Sequence, residues 1–244
     1  FPNQASLVQA KLKAVNAMCF DVSAACSGFI TALDIAASML KAGSYKYALV
    51  IGSEKMSEIV NWKDRSVCVL FGDGAGAVVL KAVDNKTEDV TGALVGQERG
   101  IIDSNIYNDG TGAAVLTGGR RFSDSCSTDI FIHMDGQEVF KFAVKSVPTA
   151  IETLLHNNNM DINDVDKFIL HQANVRIIES VAKRLKADKD KFPVNLNEYG
   201  NTSSASIPIL LDELNRNGSL KQGEKLVLAG FGAGLSWGSI LLVW

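Results

Sequence analysis

Two parts of this chain repeat one another at a fixed offset. Adding 178 to the residue number takes Cys26 to Ser204, Leu33-Asp34 to Leu211-Asp212, Val50 to Leu228 and Gly52 to Gly230. Helix pattern, gap and apolar strand pattern coincide in both parts. Phe-Gly-x-Gly and a second apolar run then follow: Phe71-Gly72-Asp73-Gly74 before Ala77 to Leu80, and Phe231-Gly232-Ala233-Gly234 before Ser239 to Val243. A duplicated unit of this kind restricts the chain to an α/β protein of two pseudo-equivalent halves. In such a protein the site falls where strands of both halves end.

The remaining elements follow from periodicity and punctuation. Ala5, Leu7, Val8, Leu12 and Val15 predict a short helix over 4–15, and Ala17 to Val22 reads as a buried strand. Small residues then make a tight turn into a helix with Phe29, Ile30, Leu33, Ala37 and Leu40 inward, which Gly43 closes. Tyr47 to Gly52 is a continuous apolar run, the pattern of a strand buried on both faces. Glycines 72, 74 and 76 form no phosphate loop, because no GK[ST] and no helix follows them; they permit close backbone approach instead. Short strands are expected at Gly92 to Val95 and Ala113 to Leu116, and a helix over 134–157 that Pro148 should kink. Asp166 to Leu170 is a strand delivering His171, and an amphipathic helix follows. That helix turns Val175, Ile178, Val181 and Leu185 inward, and Arg176, Lys183, Arg184 and Lys186 outward. A further helix runs through Leu214, and strands lie at Lys225 to Ala229 and Ser239 to Val243. The expected organisation is an N-terminal half over 1–83, a connecting segment over 84–130 and a C-terminal half over 131–244.

A net charge of −3 gives no electrostatic footprint for nucleic acid or an anionic membrane. No apolar run approaches the ~18 residues that a membrane span needs. The start, Phe1-Pro2-Asn3-Gln4, has no signal-peptide pattern and no initiator Met, so a processed or partial product is expected. Cys19, Cys26, Cys68 and Cys126 show no CxxC spacing, and His133, His156 and His171 form no ligand cluster with them. Neither a zinc site nor a disulfide framework is expected, and a reducing cytoplasm fits best.

Cys26 sits where strand gives way to helix, the position at which N-terminal N–H groups favour thiolate over thiol. Taken alone, a free cysteine is usually a small buried apolar residue. A lone His171 would satisfy a strand end, and Asn201 after Gly200 would be a turn or cap. Together they form a Cys-His-Asn set at element ends. Nucleophilic catalysis needs such a thiolate and neighbours to hold developing charge.

At these residues the sequence resembles β-ketoacyl-acyl-carrier-protein synthase III, the initiating condensing enzyme of bacterial fatty acid synthesis. The resemblance rests on five segments. They are Asp21-Val22-Ser23-Ala24-Ala25-Cys26-Ser27-Gly28, Phe71-Gly72-Asp73-Gly74-Ala75-Gly76, His171-Gln172-Ala173-Asn174, Gly200-Asn201-Thr202-Ser203-Ser204-Ala205-Ser206, and Phe231-Gly232-Ala233-Gly234 with Trp237-Gly238. It implies an α/β fold, the thiolase-like αβαβα five-layered sandwich of two pseudo-repeats. It also implies acylation of Cys26 by a short acyl-CoA, then condensation with malonyl-acyl carrier protein and loss of CO2.

By the same resemblance, His171 and Asn201 hold the thioester carbonyl during decarboxylation, and backbone N–H groups of Cys26 and the Gly232-Ala233 turn form the oxyanion hole. Phe231 lines an apolar pocket for the malonyl carboxylate. Arg65, Gln137, Phe140, Ala173 and Asn174 match coenzyme A contacts, with Gln137 in place of an Asn common there. Gln172, Ala173, Asn174, Val175 and Arg176 match the carrier-protein segment, and Phe1 matches a residue that reaches across a homodimer into the partner's acyl pocket. No metal or other cofactor is implied; coenzyme A enters as a substrate thioester. Family chains carry a further segment before the position of Phe1, so the first repeat is expected to lack its opening strands. A related condensing enzyme using a different or longer acyl-CoA remains open, as does a non-catalytic truncated partner subunit. The intact Cys26, His171 and Asn201 argue against the latter.

Overall fold

The computed structural model describes residues 1–83, 99–118 and 130–244. Helix α1 (Gln4–Leu12) opens the chain and α2 (Gly28–Lys41) follows a 3-10 turn at Ala25–Ser27. Strands β1 (Tyr47–Glu54) and β2 (Gly74–Lys81) pair antiparallel as a two-stranded sheet. Strand β3 (Gly100–Asn108) follows, and β4 (Leu116–Thr117) pairs with β5 (His133–Met134). The second half contains α3 (Gly136–Asn157), β6 (Lys167–Leu170), α4 (Val175–Leu185), the single turn α5 (Leu196–Tyr199), α6 (Ser206–Arg216), β7 (Lys225–Gly232) and β8 (Ser236–Val243). Its sheet has the order β3-β8-β7-β6, with β6 and β7 parallel and the other pairs antiparallel.

The layers are built by alternation along the central strands. Val227, Ala229 and Phe231 of β7, with Phe168 and Leu170 of β6, pack against α3 and α4. Leu226 and Leu228, with Ile169, turn to the opposite face and meet Phe29, Ile30 and Leu33 of α2 and Ile207, Leu210 and Leu211 of α6. Successive strand side chains point to opposite faces, so continuous apolar runs mark a sheet covered twice. Helices α2 and α6 are the shared middle layer, since Val50 of β1 joins their cluster and α6 packs along β2. The order is therefore β1-β2, then α2 and α6, then the four-stranded sheet, then α3 and α4.

The repeat is in register with the elements. The offset of 178 carries the turn Ala25–Ser27 onto the 3-10 turn Ser203–Ala205, the start of α2 onto the start of α6, and β1 onto β7. Both turns begin on a residue with positive φ, Ala25 at 45° and Ser203 at 51°.

Several expectations are corrected. Residues 17–22 form no strand, and Met18 and Phe20 are exposed. A strand needs a ladder neighbour to satisfy its backbone, and none of the described residues pairs with this segment. β1 is buried on one face only: Val50 and Gly52 are covered, whereas Tyr47 and Leu49 face outward because no described helix covers that side. Residues 113–116 lie mostly in a 3-10 turn, Gly110–Val115, nucleated by Asp109 accepting from Thr111 N. The glycine-rich runs lie partly within β2 and β7, which start or end at Gly74 and Gly232. Pro148, where a kink is expected, stands inside α3, which continues past it as one helix. α1 buries nothing; it is held at its N-terminus, where Asn3 Oδ1 accepts from Ser6 N and the Asp21 carboxylate accepts from Gln4 N and Ala5 N. The strand expected at Gly92 to Val95 lies outside the described residues.

Gly52 shows how tightly the halves meet: a Cβ there would lie 2.6 Å from the Ser204 carbonyl oxygen. Backbone cannot yield as a flexible side chain does. Gly52→Ala is expected to lower stability by about 1–3 kcal/mol in chemical denaturation, and a change within 0.5 kcal/mol would contradict this contact.

Candidate active site

The site is assembled at the ends of β6 and β7 from parts of both halves. β7 alternates Gly230, Phe231, Gly232. Phe231 points into the α3–α4 side, so the opposite face carries no side chain at two successive positions. The Cys26 turn occupies that space: a Cβ on Gly232 would lie 2.9 Å from Cys26 N and 3.0 Å from Cys26 Cβ. Ser27 Oγ and Ser236 Oγ lie 2.6 Å apart, and Ser236 Oγ donates to Ala233 O, which ties the turn to the β7–β8 hairpin. Among the described residues, no other residue's acceptor takes the N–H of Cys26 or of Ala233. Both N–H groups are left as donors, and Gly232, which precedes Ala233, lies directly against Cys26.

Cys26 is buried, with 7% of its surface exposed, and burial pushes its thiol up from 9.0 to about 11. A hydrogen bond from the Ser203 side chain pulls the other way, the Glu54 charge raises the value further, and the residue's own backbone N–H lowers it. The expectation that the helix terminus makes a resting thiolate is corrected here. A helix end supplies about 0.3–1 kcal/mol, whereas a rise of two units corresponds to nearly 3 kcal/mol. The resting group is the thiol, and its proton leaves as the sulfur attacks.

His171 follows β6 directly. Its N–H donates to Ala229 O at 2.8 Å, so the β6–β7 ladder continues into the residue. Nδ1 lies 2.7 Å from Ser206 Oγ, which also accepts from Gln172 N at 3.2 Å. The ring meets Phe231 edge-on at 5.2 Å. Burial drives its pKa from 6.5 down to about 3, so the imidazole is neutral at pH 7.

Asn201 belongs to the second half but is fastened by the first. Its N–H donates to Leu70 O and its carbonyl accepts from Gly72 N, forming a parallel bridge with Phe71. Asn201 Oδ1 accepts from Ser203 N at 2.9 Å, which fixes the amide orientation. Nδ2 has no acceptor among the described residues and is left as a donor. The turn Ser203–Ala205 packs against the turn that carries Cys26, and side-chain hydrogen bonding by Ser203 is what lowers the thiol pKa against its burial. Cys26, Asn201, Phe231, Gly232, Ala233 and His171 are thus brought together as one cluster.

The outer residues are arranged differently. Gln137, at the first turn of α3, lines a depression of about 750 Å3 with Asp64, His133, Met134 and Asp135. Arg65 is exposed beside Asp64, and Phe140 is half-buried one turn along α3. Ala173 and the α4 cap Asn174 follow His171, with Asn174 Oδ1 accepting from Arg176 N. Val175 and Arg176 are exposed. Gln172 is corrected as a carrier-protein contact through its side chain: it is 1% exposed, donates to Leu170 O and accepts from Asn195 N. Phe1 is fully exposed and touches no acyl pocket within this chain. The sequence reading missed Glu54, Ser203 and Ser206. The repeat held a signal for one of them, since it pairs Ser203 with the residue before the cysteine.

The sequence model of 3-oxoacyl-[acyl-carrier-protein (ACP)] synthase III matches residues 20–98, and that of its C-terminal domain matches residues 155–244. The chain belongs to this family. A β-ketoacyl-[acyl-carrier-protein] synthase III of Clostridium acetobutylicum is 46% identical over 249 residues, covering 100% of this chain and 73% of the relative. The crystal structure of 3-oxoacyl-[acyl-carrier-protein] synthase III from Aquifex aeolicus VF5 superposes with a TM-score of 0.88 at 45% identity, again over 100% and 73% of the two chains. The priming β-ketosynthase of the R1128 polyketide pathway superposes at 0.87 with 35% identity, over 100% and 70%. The fold is the thiolase type, and the family is that of the initiating condensing enzymes of fatty acid synthesis. Among the described residues no group of three or more His, Cys, Asp or Glu is placed to hold a metal, and no helix is long and apolar enough to cross a membrane.

His171 makes stability depend on pH. Its folded value lies below its unfolded value, so the unfolded chain binds the extra proton between about 6.5 and 3. Its contribution is complete above pH 6.5 and is lost as pH falls toward 3, by up to about 5 kcal/mol. Denaturant titrations from pH 7 to 4 are expected to show this decline, and His171→Gln to flatten it. An equally steep decline in the variant would rule His171 out as its source.

Proposed function

We propose that this chain condenses a short acyl-CoA, acetyl-CoA first, with malonyl-acyl carrier protein, with Cys26, His171 and Asn201 as its catalytic residues. The observation that carries the reading is that both polar partners of Cys26 are held on one side and free on the other. Ser203 N–H occupies Asn201 Oδ1, so Nδ2 remains to donate. Ser206 Oγ engages His171 Nδ1 at 2.7 Å, and in this reading its hydroxyl donates there, which puts the proton of the neutral ring on Nε2.

In the first step the Cys26 sulfur attacks the thioester carbon. The S–H bond breaks, an S–acyl bond forms, and coenzyme A leaves as its thiol with that proton. The N–H groups of Cys26 and Ala233 carry the oxyanion. In the second step malonyl-acyl carrier protein loses CO2, and His171 Nε2–H and Asn201 Nδ2–H hold the enolate oxygen. The carbanion carbon attacks the acyl-cysteine, releasing 3-oxoacyl-acyl carrier protein and a sulfur that regains a proton. Phe231 keeps the carboxylate in an apolar setting, which favours its loss as neutral CO2.

Arg65, Gln137, Phe140, Ala173 and Asn174 line the coenzyme A path in this reading. Val175 and Arg176 meet the carrier protein. The exposed Arg176, Lys183, Arg184 and Lys186 supply a basic helix face without ion-pair partners among the described residues. Two copies pair, with Phe1 entering the partner's site, and the enzyme works in the cytoplasm. The exposure of Phe1 and Phe20 supports the pairing.

Incubation with acetyl-CoA is expected to add an acetyl group to Cys26 by peptide mass spectrometry, and Cys26→Ser to abolish it. An acetyl group found elsewhere would refute the mechanism. Screening acyl-CoAs of increasing length in the same assay assigns the acyl group. His171→Ala and Asn201→Ala are each expected to keep Cys26 acetylation while slowing condensation by about 10²–10³-fold. Unchanged condensation in either would remove that residue from the second step.

A further inference from the structure

Glu54 ends β1 in the immediate neighbourhood of Cys26, yet no step above uses it. Its Oε1 accepts from Ser204 Oγ at 2.5 Å and from Ser204 N at 3.3 Å. The first distance is that of a short charge-assisted bond. Gly52 lies two residues earlier on the same strand face and, lacking a side chain, lets β1 rest directly on the Ser204 backbone. Ser203 precedes Ser204 with a left-handed φ of 51°, a conformation costly for a residue other than glycine unless its surroundings impose it. Two clamps impose it here. Asn201 Oδ1 takes the Ser203 N–H from one side, and Glu54 takes both donors of Ser204 from the other.

We propose that Glu54 is a positioning residue for the nucleophile: its carboxylate anchors Ser204 and thereby holds the strained Ser203 turn that presents a hydroxyl to the Cys26 sulfur. The inference rests on Cys26 being the nucleophile. Electrostatics alone would give Glu54 the opposite effect, because its negative charge raises the thiol pKa. The other ionisable group of the cluster, His171, is neutral, and the first turn of α2 carries no acidic residue. A carboxylate here therefore helps Cys26 only through the geometry it imposes.

The charge and the clamp are separable. Glu54→Gln keeps an acceptor oxygen and removes the charge, Glu54→Asp keeps the charge and withdraws its reach, and Glu54→Ala removes both. The rate of iodoacetamide alkylation at Cys26 is measured from pH 7 to 10 by peptide mass spectrometry, which separates it from Cys19, Cys68 and Cys126. Ser203→Ala, Glu54→Asp and Glu54→Ala are each expected to slow the reaction about tenfold at matched pH. Glu54→Gln is expected to react at least as fast as the parent at every pH in this range. The double variant Glu54→Asp with Ser203→Ala is expected to be no slower than Ser203→Ala alone, since both act on one hydrogen bond. Glu54→Asp reacting like the parent, or a double variant showing the product of the two single effects, overturns the proposal. Glu54→Asp and Ser203→Ala decide the matter even where Glu54→Ala does not fold. Acetyl-CoA labelling of the parent runs alongside, so failure of the nucleophile reading is seen separately from failure of the clamp.

Discussion

The structure depends on backbone-to-backbone contact between the two halves where side chains are missing. Gly52 lets β1 press on Ser204, and Gly232 lets the end of β7 press on Cys26. Each contact joins a strand of one half to the turn before the helix of the other. Any Cβ at these points would push the halves apart and draw the cysteine away from the residues around it. The absence of a side chain at these strand positions weakens each strand locally. That loss is offset by burying α2 and α6 as one layer between two sheets, where Phe29, Ile30 and Ile207 are almost wholly removed from water.

The same contact explains the chemistry of the site. A thiol pressed into a buried turn is disfavoured as an anion, and an imidazole buried beside Phe231 is disfavoured as a cation. Both groups rest neutral. Such a pair suits a reaction in which charge appears on substrate oxygen and is met by oriented N–H groups. It suits less well a stored thiolate–imidazolium pair. The orientation comes from Ser203, which occupies Asn201 Oδ1, and from Ser206, which engages His171 Nδ1. These serines look like ordinary turn residues in the sequence, and their roles come from what they face.

Much of the fold was legible because it is periodic and repeated. The strands around Val50 and Leu228, the helices around Leu33 and Leu211, and the offset that relates them were all visible as patterns. Element ends were less so: Gly74, Gly76 and Gly232 lie within β2 and β7 rather than beside them, because a strand that faces another backbone needs no side chain. The apolar run at 17–22 read as a strand but has no ladder neighbour among the described residues, and pattern alone does not reveal pairing. For the same reason the apolar composition of β1 suggests burial on both faces, while only one face meets a helix.

By itself, the sequence determined that two equivalent halves exist, that each carries a small-residue turn before a helix, and that Cys26, His171 and Asn201 stand at element ends. These are local or periodic properties, carried by spacing and residue type. Tertiary structure alone decided that Glu54 grips Ser204, that Ser206 orients His171, that Gln172 is buried inside rather than offered to a partner, and that Cys26 rests as a thiol. Each of these depends on which atoms from distant parts of the chain share a buried space, where water no longer screens charge and every hydrogen bond has a fixed direction.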